Sequence, residues 1–304
     1  MTEVRWGVAT DVGRVRTTNQ DRALAAATLF AVADGMGGHQ GGEVAAELAV
    51  RTLGDRFFQD PTESGLREAV RAANAAVWER GQADAALRGM GTTLTAVAVV
   101  GDPPEERLEL VNVGDSRTYL LRGDRLLQLT NDHSLVEEMV RNGEISPAEA
   151  AVHPGRHILT RAIGERPDVD IDAWLLVPAT GDRLLLCSDG LINEVQDREM
   201  AELVRRSRDP QGASEALVAR ATDNGGSDNI TVVVVEVVDG ARPGRESTSR
   251  SDSRPMLLEA VTGGNEAAGP GGPTLGGVSP GGREAGGAEA VGRGSGPADA
   301  DAVG

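Results

Sequence analysis

Residues 29–50 read LFAVADGMGGHQGGEVAAELAV. An apolar run ends on a carboxylate, Asp34, passes through a glycine-dense turn, and from about Glu43 continues with apolar residues at helical spacing. A short, uninterrupted apolar run is the pattern of a buried strand. A plain strand-to-helix connection needs only a few turn residues. An acid, two Gly-Gly pairs and a histidine (His39) in one connection exceed that need, so the segment is read as part of a site.

Worked outward, the same reading recurs along the chain. Short β-like runs fall at 5–10, 28–33, 92–100, 107–113, 117–121, 125–129, 173–177, 183–188 and 230–238. Turn signals such as GDPPEE and RGD separate neighbouring runs at hairpin distance and favour antiparallel pairing. Helical periodicity appears in two groups, 43–58 with 66–79, and 197–205 with 213–221. Two helical pairs separated by many strands predict an α+β fold, a β-sandwich covered by helices. Between them, 134–161 reads as a small, mostly helical insertion.

Composition narrows the function classes. The chain carries 47 Asp and Glu against 30 Arg and Lys, a formal net charge of -17. Such a balance argues against a nucleic-acid partner, which needs a basic face, and is compatible with carboxylates gathered around cations. From residue 241 the composition turns to Gly, Pro, Ser and Ala, too poor in large apolar residues to fold, so 241–304 is expected to be a disordered tail behind a domain at 1–240. A single cysteine, Cys187, inside RLLLCSDG, excludes an internal disulfide and reads as a small buried hydrophobe. No apolar run reaches the ~18–20 residues of a membrane span, and the N-terminus lacks signal-peptide regions. A cytoplasmic protein without a membrane partner is expected.

The acids fall in a pattern. Asp34 ends the run 28–33; Asp115 follows 107–113 in LVNVGDSRTYL; Asp189 ends 183–188 in LLLCSDGL; Asp228 precedes 230–238 in GGSDNITVVVV. Asp21, in RVRTTNQDRA, stands just ahead of a short strand. Alone, an Asp-Gly at a strand end is a turn, and GDS or SDN is no more specific. If these ends meet at one edge of a sandwich, they form an oxygen-rich pocket whose like charges cannot all stay ionised without cations. Oxygen ligands select Mg²⁺ or Mn²⁺ over zinc, and a carboxylate shared by two such ions can hold a water between them as hydroxide. Gly35 would let a backbone carbonyl approach an ion.

At these residues the chain closely resembles the metal-dependent serine/threonine protein phosphatases (the PPM, or protein phosphatase 2C-like, family) in their compact bacterial form. The resemblance rests on the ordered series RTTNQD, VADGMGGHQGGEVA, GMGTTLTAV, NVGDSRTYLLR, LTNDHS, CSDGL and GGSDNITVVVV, over about residues 5–238. It implies a four-layer α-β-β-α sandwich, two antiparallel sheets flanked by helix pairs, with a metal cluster at one end and 134–161 as a flap. It also implies a reaction: water activated between two Mn²⁺ or Mg²⁺ ions attacks phosphoserine or phosphothreonine on a protein, with no phosphoenzyme. Under the resemblance Asp34 is the bridging ligand, Gly35 gives its carbonyl, Asp189 and Asp228 complete the second ion, and Asp115 serves a third, weaker ion. Arg16 holds the substrate phosphate, Asp21 binds metal-coordinated waters, and Asn229 orders the site.

Two positions depart from the better-known eukaryotic pattern. Met36 stands where a histidine is thought to protonate the leaving oxygen, which leaves His39 and a metal-held water as the two candidates for that proton. Gln20 stands where a carboxylate is common; its amide can still hydrogen-bond a metal-held water. His133, His153 and His157 are expected to pack in or beside the flap. The expected protein is a monomeric phosphatase of phosphorylated proteins that opposes bacterial serine/threonine kinases. Two alternatives share its residues: a phosphatase confined to one switch protein, such as an anti-sigma-factor antagonist, and a binding scaffold that has lost catalysis.

Overall fold

The computed structural model describes residues 2–37, 41–240 and 259–260. The first half runs β1 (Glu3–Asp11), β2 (Arg22–Ala25), β3 (Leu29–Ala33), β4 (Gly35–Met36), α1 (Gly41–Phe57), α2 (Glu63–Ala83), β5 (Gly91–Thr92), β6 (Leu94–Val100) and β7 (Arg107–Val113). Then follow β8 (Arg117–Arg122), β9 (Arg125–Gln128), α3 (Leu135–Arg141), α4 (Pro147–Ala150), β10 (Asp172–Leu176) and β11 (Arg183–Cys187). The last elements are α5 (Asp189–Ile192), α6 (Asp197–Arg206), α7 (Pro210–Asn224), β12 (Ile230–Asp239) and β13 (Glu259–Ala260). One sheet has the order β1-β12-β11-β8-β9, the other β13-β10-β7-β6-β3-β2, and β4 pairs with β5 alone. Every pairing is antiparallel.

Period-2 side-chain alternation distributes each apolar strand between two cores. In β3, Phe30 and Val32 face the opposite sheet, where they join Val97, Leu110, Leu120, Leu186, Val233 and Val235. Leu29, Ala31 and Ala33 point the other way, against Leu53 and Phe57 of α1 and Leu66, Val70 and Val77 of α2. In β12, Val232 and Val234 pack against Met200 and Val204 of α6 and Leu217 and Ala221 of α7. Neither sheet has a water-facing surface at its centre, which is why these strands read as unbroken apolar runs. The expected four layers, α-β-β-α, are those observed. Each fully buried Leu, Val or Phe side chain contributes roughly 1.5–3 kcal/mol.

The helices begin where the sequence supplies caps. Thr62 accepts from Gly65 N (3.0 Å) at the start of α2, and Asp209 accepts from Gly212 N (2.8 Å) ahead of Pro210 in α7. The insertion at 134–161 is not mostly helical: only Leu135–Arg141 and Pro147–Ala150 are helix. Gly143, at φ +73°, turns the chain just after α3. Ser146 and Glu149 form a reciprocal capping box that starts α4, and the chain leaves it after Ala151, ahead of Pro154 and Gly155. Among the described residues no helix is long and apolar enough to cross a membrane. Of the segment assigned to the tail, only 259–260 lies within the described residues, paired with Leu175 and Trp174 at the edge of β10.

Candidate metal and phosphate site

Strand register brings the acids to one end of the sandwich. Arg22 pairs with Ala33, so Asp21 and Asp34 are neighbours; Leu94 pairs with Val113, so Thr93 lies beside the Gly114–Asp115 turn. In the other sheet Cys187 pairs with both Arg117 and Val232, and Asp11 with Ile230, which gathers Asp189, Asp115 and Asp228 at the same edge. Asp34 and Asp189, from opposite sheets, stand close enough to act on each other's carboxyl.

Each carboxylate is held by local backbone. Asp34 N donates to Thr93 Oγ1 (2.9 Å), and Asp34 O accepts from Thr93 N (2.9 Å) and Thr92 Oγ1 (2.8 Å). Asp189 opens the single-turn helix α5 and accepts from Asn193 Nδ2 (3.1 Å). Asp228 accepts from Asn229 N (2.8 Å) through Oδ1 and from Arg16 Nη2 (2.7 Å) through Oδ2. Asn229 acts as a knot: its Oδ1 accepts from Gln20 N (2.8 Å) while its Nδ2 donates to the carbonyls of Val12 and Thr18 (both 3.0 Å). Asp21, 3% exposed, accepts from Ser188 Oγ (2.7 Å).

Gly35 follows Asp34 directly and is packed backbone to backbone. A Cβ at Gly35 would stand 2.1 Å from the Gly42 carbonyl oxygen, and one at Gly42 would stand 2.5 Å from that of Gly35. The glycines of this connection therefore let the start of α1 lie against the strand end that carries Asp34. His39 lies outside the described residues.

The electrostatics are those of a carboxylate cluster short of positive charge. Burial, then Asp21, Asp189, Asp115 and Asp228, push Asp34 well above the usual carboxylate range. Burial and the neighbouring Asp228 raise Asp189; burial, against the hydrogen bond from Ser188, takes Asp21 to about 6; burial and Asp189 take Asp115 to about 7. Asp21 Oδ1 and Asp189 Oδ1 are buried and accept no hydrogen bond. Arg16 lies across the cluster, its guanidinium held charged by Asp228 first and by Asp189 and Asp34 beyond it.

The cluster opens onto a cavity of about 1120 Å³ walled by Arg16, Asp115, Asp189 and Asp228 on one side and by Val136, Val140, Arg156 and His157 of the insertion on the other. Asp34 and Asp21 do not reach the cavity wall. Among the described residues no three His, Cys, Asp or Glu side chains close on one point as a ready-made chelate. The donor set nevertheless fits hard divalent cations, whose shells are completed by carbonyl and water oxygens: oxygen donors only, two of them buried and orphaned, with raised affinity for protons that a cation would displace.

Sequence reasoning located every acid at its strand end but missed their supports. Ser188, read as a buried strand residue, spans the sheets to Asp21. Thr92, Thr93 and Asn193 hold Asp34 and Asp189. Asn193 stands four positions from Asp189, but Thr92 and Thr93 are 58 and 59 positions from Asp34 and Ser188 is 167 from Asp21, so no local pattern links these supports to their acids. Cys187 is buried, its thiol pushed by burial up to about 12, as a structural cysteine should be. His133, expected among flap-packing residues, is 2% exposed and hydrogen-bonded to Gly114 N.

Comparison with known proteins agrees with this geometry. The protein phosphatase 2C family profile matches residues 14–220. The serine/threonine phosphatase stp of Listeria innocua is 40% identical over 239 residues, covering 75% of this chain and 93% of that protein. The PPM Ser-Thr phosphatase MsPP of Mycobacterium smegmatis, solved in complex with cacodylate, superposes with a TM-score of 0.72 at 43% identity, covering 78% of this chain and all of the other. The catalytic domain of the serine/threonine protein phosphatase PstP, solved with 2 manganese ions, superposes with a TM-score of 0.71 at 39% identity, covering 79% of this chain and 100% of that one.

Proposed function

Because the chain belongs to the protein phosphatase 2C family and is a protein serine/threonine phosphatase, we propose that its carboxylate end hydrolyses phosphoserine and phosphothreonine on proteins and so reverses kinase signalling in the bacterial cytoplasm. The observation that carries this reading is the concentration of Asp34, Asp115, Asp189 and Asp228 at one end of the sandwich, with Arg16 lying across Asp34, Asp189 and Asp228 and with the buried Oδ1 atoms of Asp21 and Asp189 left unpaired. In this reading Asp34, the Gly35 carbonyl, Asp189 and Asp228 hold two Mn²⁺ or Mg²⁺ ions, and Asp115 holds a third, weaker one. Bound there, the ions supply charge neutralisation at phosphorus and an activated water.

The chain's own residues do the rest. Arg16 is half exposed beside the cavity and presents a planar, permanently charged fork suited to phosphate. Its bond to Asp228 Oδ2 aims that fork, and Asn229 N fixes the other Asp228 oxygen. Asn229 ties the Arg16-bearing loop to β12 through Val12, Thr18 and Gln20, so the phosphate grip and the acid end move as one body. Asp21 and Gln20 support the site from behind. The insertion wall opposite, with Val136, Val140 and Arg156, receives the protein chain that carries the phosphate.

The test is phosphate release from a phosphothreonine peptide in the presence of Mn²⁺, Mg²⁺ or EDTA. Turnover that needs either metal and stops with EDTA is expected. Turnover that survives Asp34→Ala or Asp189→Asn would overturn the assignment of the site.

A further inference from the structure

His133 sits where the insertion leaves the sheet, and it grips one turn with both its backbone and its ring. His133 N donates to Gly114 O (3.0 Å), while Gly114 N donates to His133 Nδ1 (3.0 Å). With Nδ1 as acceptor the neutral ring carries its proton on Nε2, which faces Asp172 Oδ2 (3.2 Å) on β10 and also stands 3.1 Å from Arg161 Nη1. Arg161, at the far end of the insertion, donates to Asp172 Oδ1 (2.7 Å) and the Asp170 carbonyl (3.2 Å). Burial would raise Asp172, but His133 and Arg161 outweigh it and hold its carboxyl at about 2, so the anchor stays ionised. The His133 carbonyl accepts from Thr160 N (2.9 Å), which ties the two ends of the insertion together at their base.

The gripped turn carries Asp115. Gly114 has φ +107°, and a Cβ there would meet Thr93 at 2.7 Å, so the turn has one tenable residue at that position. On its other side Ser116 Oγ pairs with Thr93 Oγ1 (2.7 Å), the atom that also accepts from Asp34 N. Asp115 is thus bracketed by His133 on one flank and by the Asp34 anchor on the other.

We propose that His133 is a positioning residue, which through its reciprocal bonds to Gly114 sets the direction of Asp115 as ligand to the weaker cation. The proposal rests on the reading of Asp115 given above. His133 touches neither phosphate nor ion; it acts on the metal through the backbone of the neighbouring ligand, as outer partners of metal ligands do.

The experiment is calorimetric titration of the full chain with Mn²⁺ alone, without substrate, alongside thermal unfolding of each variant. Asp115→Asn should remove the weakest binding step and leave the tighter ones. His133→Leu should weaken that same step by roughly 10–100-fold with the tighter steps kept, and His133→Asn, whose Oδ1 replaces Nδ1 as acceptor, should restore most of it. A folded His133→Leu with the weak step unchanged overturns the proposal, and so does an Asn variant as impaired as Leu. If His133→Leu does not fold, Asp172→Asn takes its place: a weakened last step supports the clamp, an unaltered one overturns it. If Asp115→Asn itself leaves the weak step intact, the ligand reading of Asp115 has failed, and the proposal falls with it for that separate reason.

Discussion

Ser188 Oγ donates to Asp21 Oδ2 across 2.7 Å, joining the end of β11 in one sheet to the start of β2 in the other. The same hydroxyl accepts from Thr231 N at 3.0 Å. Ser188→Ala removes one of the two hydroxyls, Ser188 and Thr231, that act on the buried Asp21 carboxylate, and takes the acceptor from Thr231 N, so a loss of about 1–3 kcal/mol in urea unfolding is expected. A change below ~0.5 kcal/mol would mean that the sheets are not held together at this point.

Metal binding at the cluster should appear as stability. At a Mn²⁺ concentration about a hundred times the dissociation constant, the folded state gains ~2.7 kcal/mol. For a domain of this size that is a rise of roughly 5–11 °C in unfolding temperature, reversed by EDTA. Asp34→Asn should abolish the rise and lower phosphate release by at least ~100-fold. It should also leave the metal-free protein no less stable than the wild type, because Asp34 is crowded by Asp21, Asp189, Asp115 and Asp228. Wild-type response to Mn²⁺ in the variant would remove Asp34 from the ligand set.

Arg16 tests the phosphate grip separately. Loss of a charge-assisted hydrogen bond is worth about 1.5–3 kcal/mol, so Arg16→Ala should raise KM for a phosphopeptide by roughly 10–100-fold. Arg16→Lys keeps the charge but not the fork and should recover only part of this. Mn²⁺ titration of both variants should keep the tight binding steps. A fall in kcat with KM unchanged would instead place Arg16 in the chemical step.

A pH effect arises far from the cluster. Glu109 of β7 is fully buried against α2, where burial, opposed by Arg67 at 2.7 Å, raises its carboxyl from 4.5 to about 7. The folded state then holds a proton that the unfolded state has released, so this group's contribution is full below pH ~4.5 and is lost as pH rises to ~7. The loss amounts to up to about 3 kcal/mol. Glu109→Gln should flatten stability across that window and be the more stable form at pH 8. Parallel curves for variant and wild type would refute this account.

Much of the fold was legible because it is built from apolar runs whose two faces are both buried. The run at 107–113 is β7 to the residue, and β3, β6, β11 and β12 lie within one or two residues of their expected ends. The two-residue pair β4 and β5 and the single-turn α5 were not legible, since so few residues carry no periodicity. The insertion misled for a different reason. SPAEAAVHPGRH has good helix formers and a true capping box, but Pro154 and Gly155 leave it room for little more than one turn. For the site, position along the chain was readable and convergence was not. That Asp21 neighbours Asp34 follows from the β2–β3 hairpin, whereas Asp228 meets Asp189 through the pairing of β11 with β12, strands separated by about forty residues and the helices α5, α6 and α7, whose adjacency the linear sequence does not show. Hence the acids were found and their hydroxyl and amide supports were not.

The pairing of β1 with β12 carries a consequence for how the enzyme comes into being. Among the described residues β1 has one sheet neighbour, and it is the strand that leaves the ribosome more than two hundred residues later. Arg16 and Gln20 meet Asp228 and Asn229 only once that strand is in place. The earliest-made residues of this cluster therefore meet their partners only after nearly the whole domain is translated. A nascent chain halted before residue 228 lacks the partner strand of its own N-terminus together with Asp228 and Asn229, the groups that hold Arg16 and Gln20.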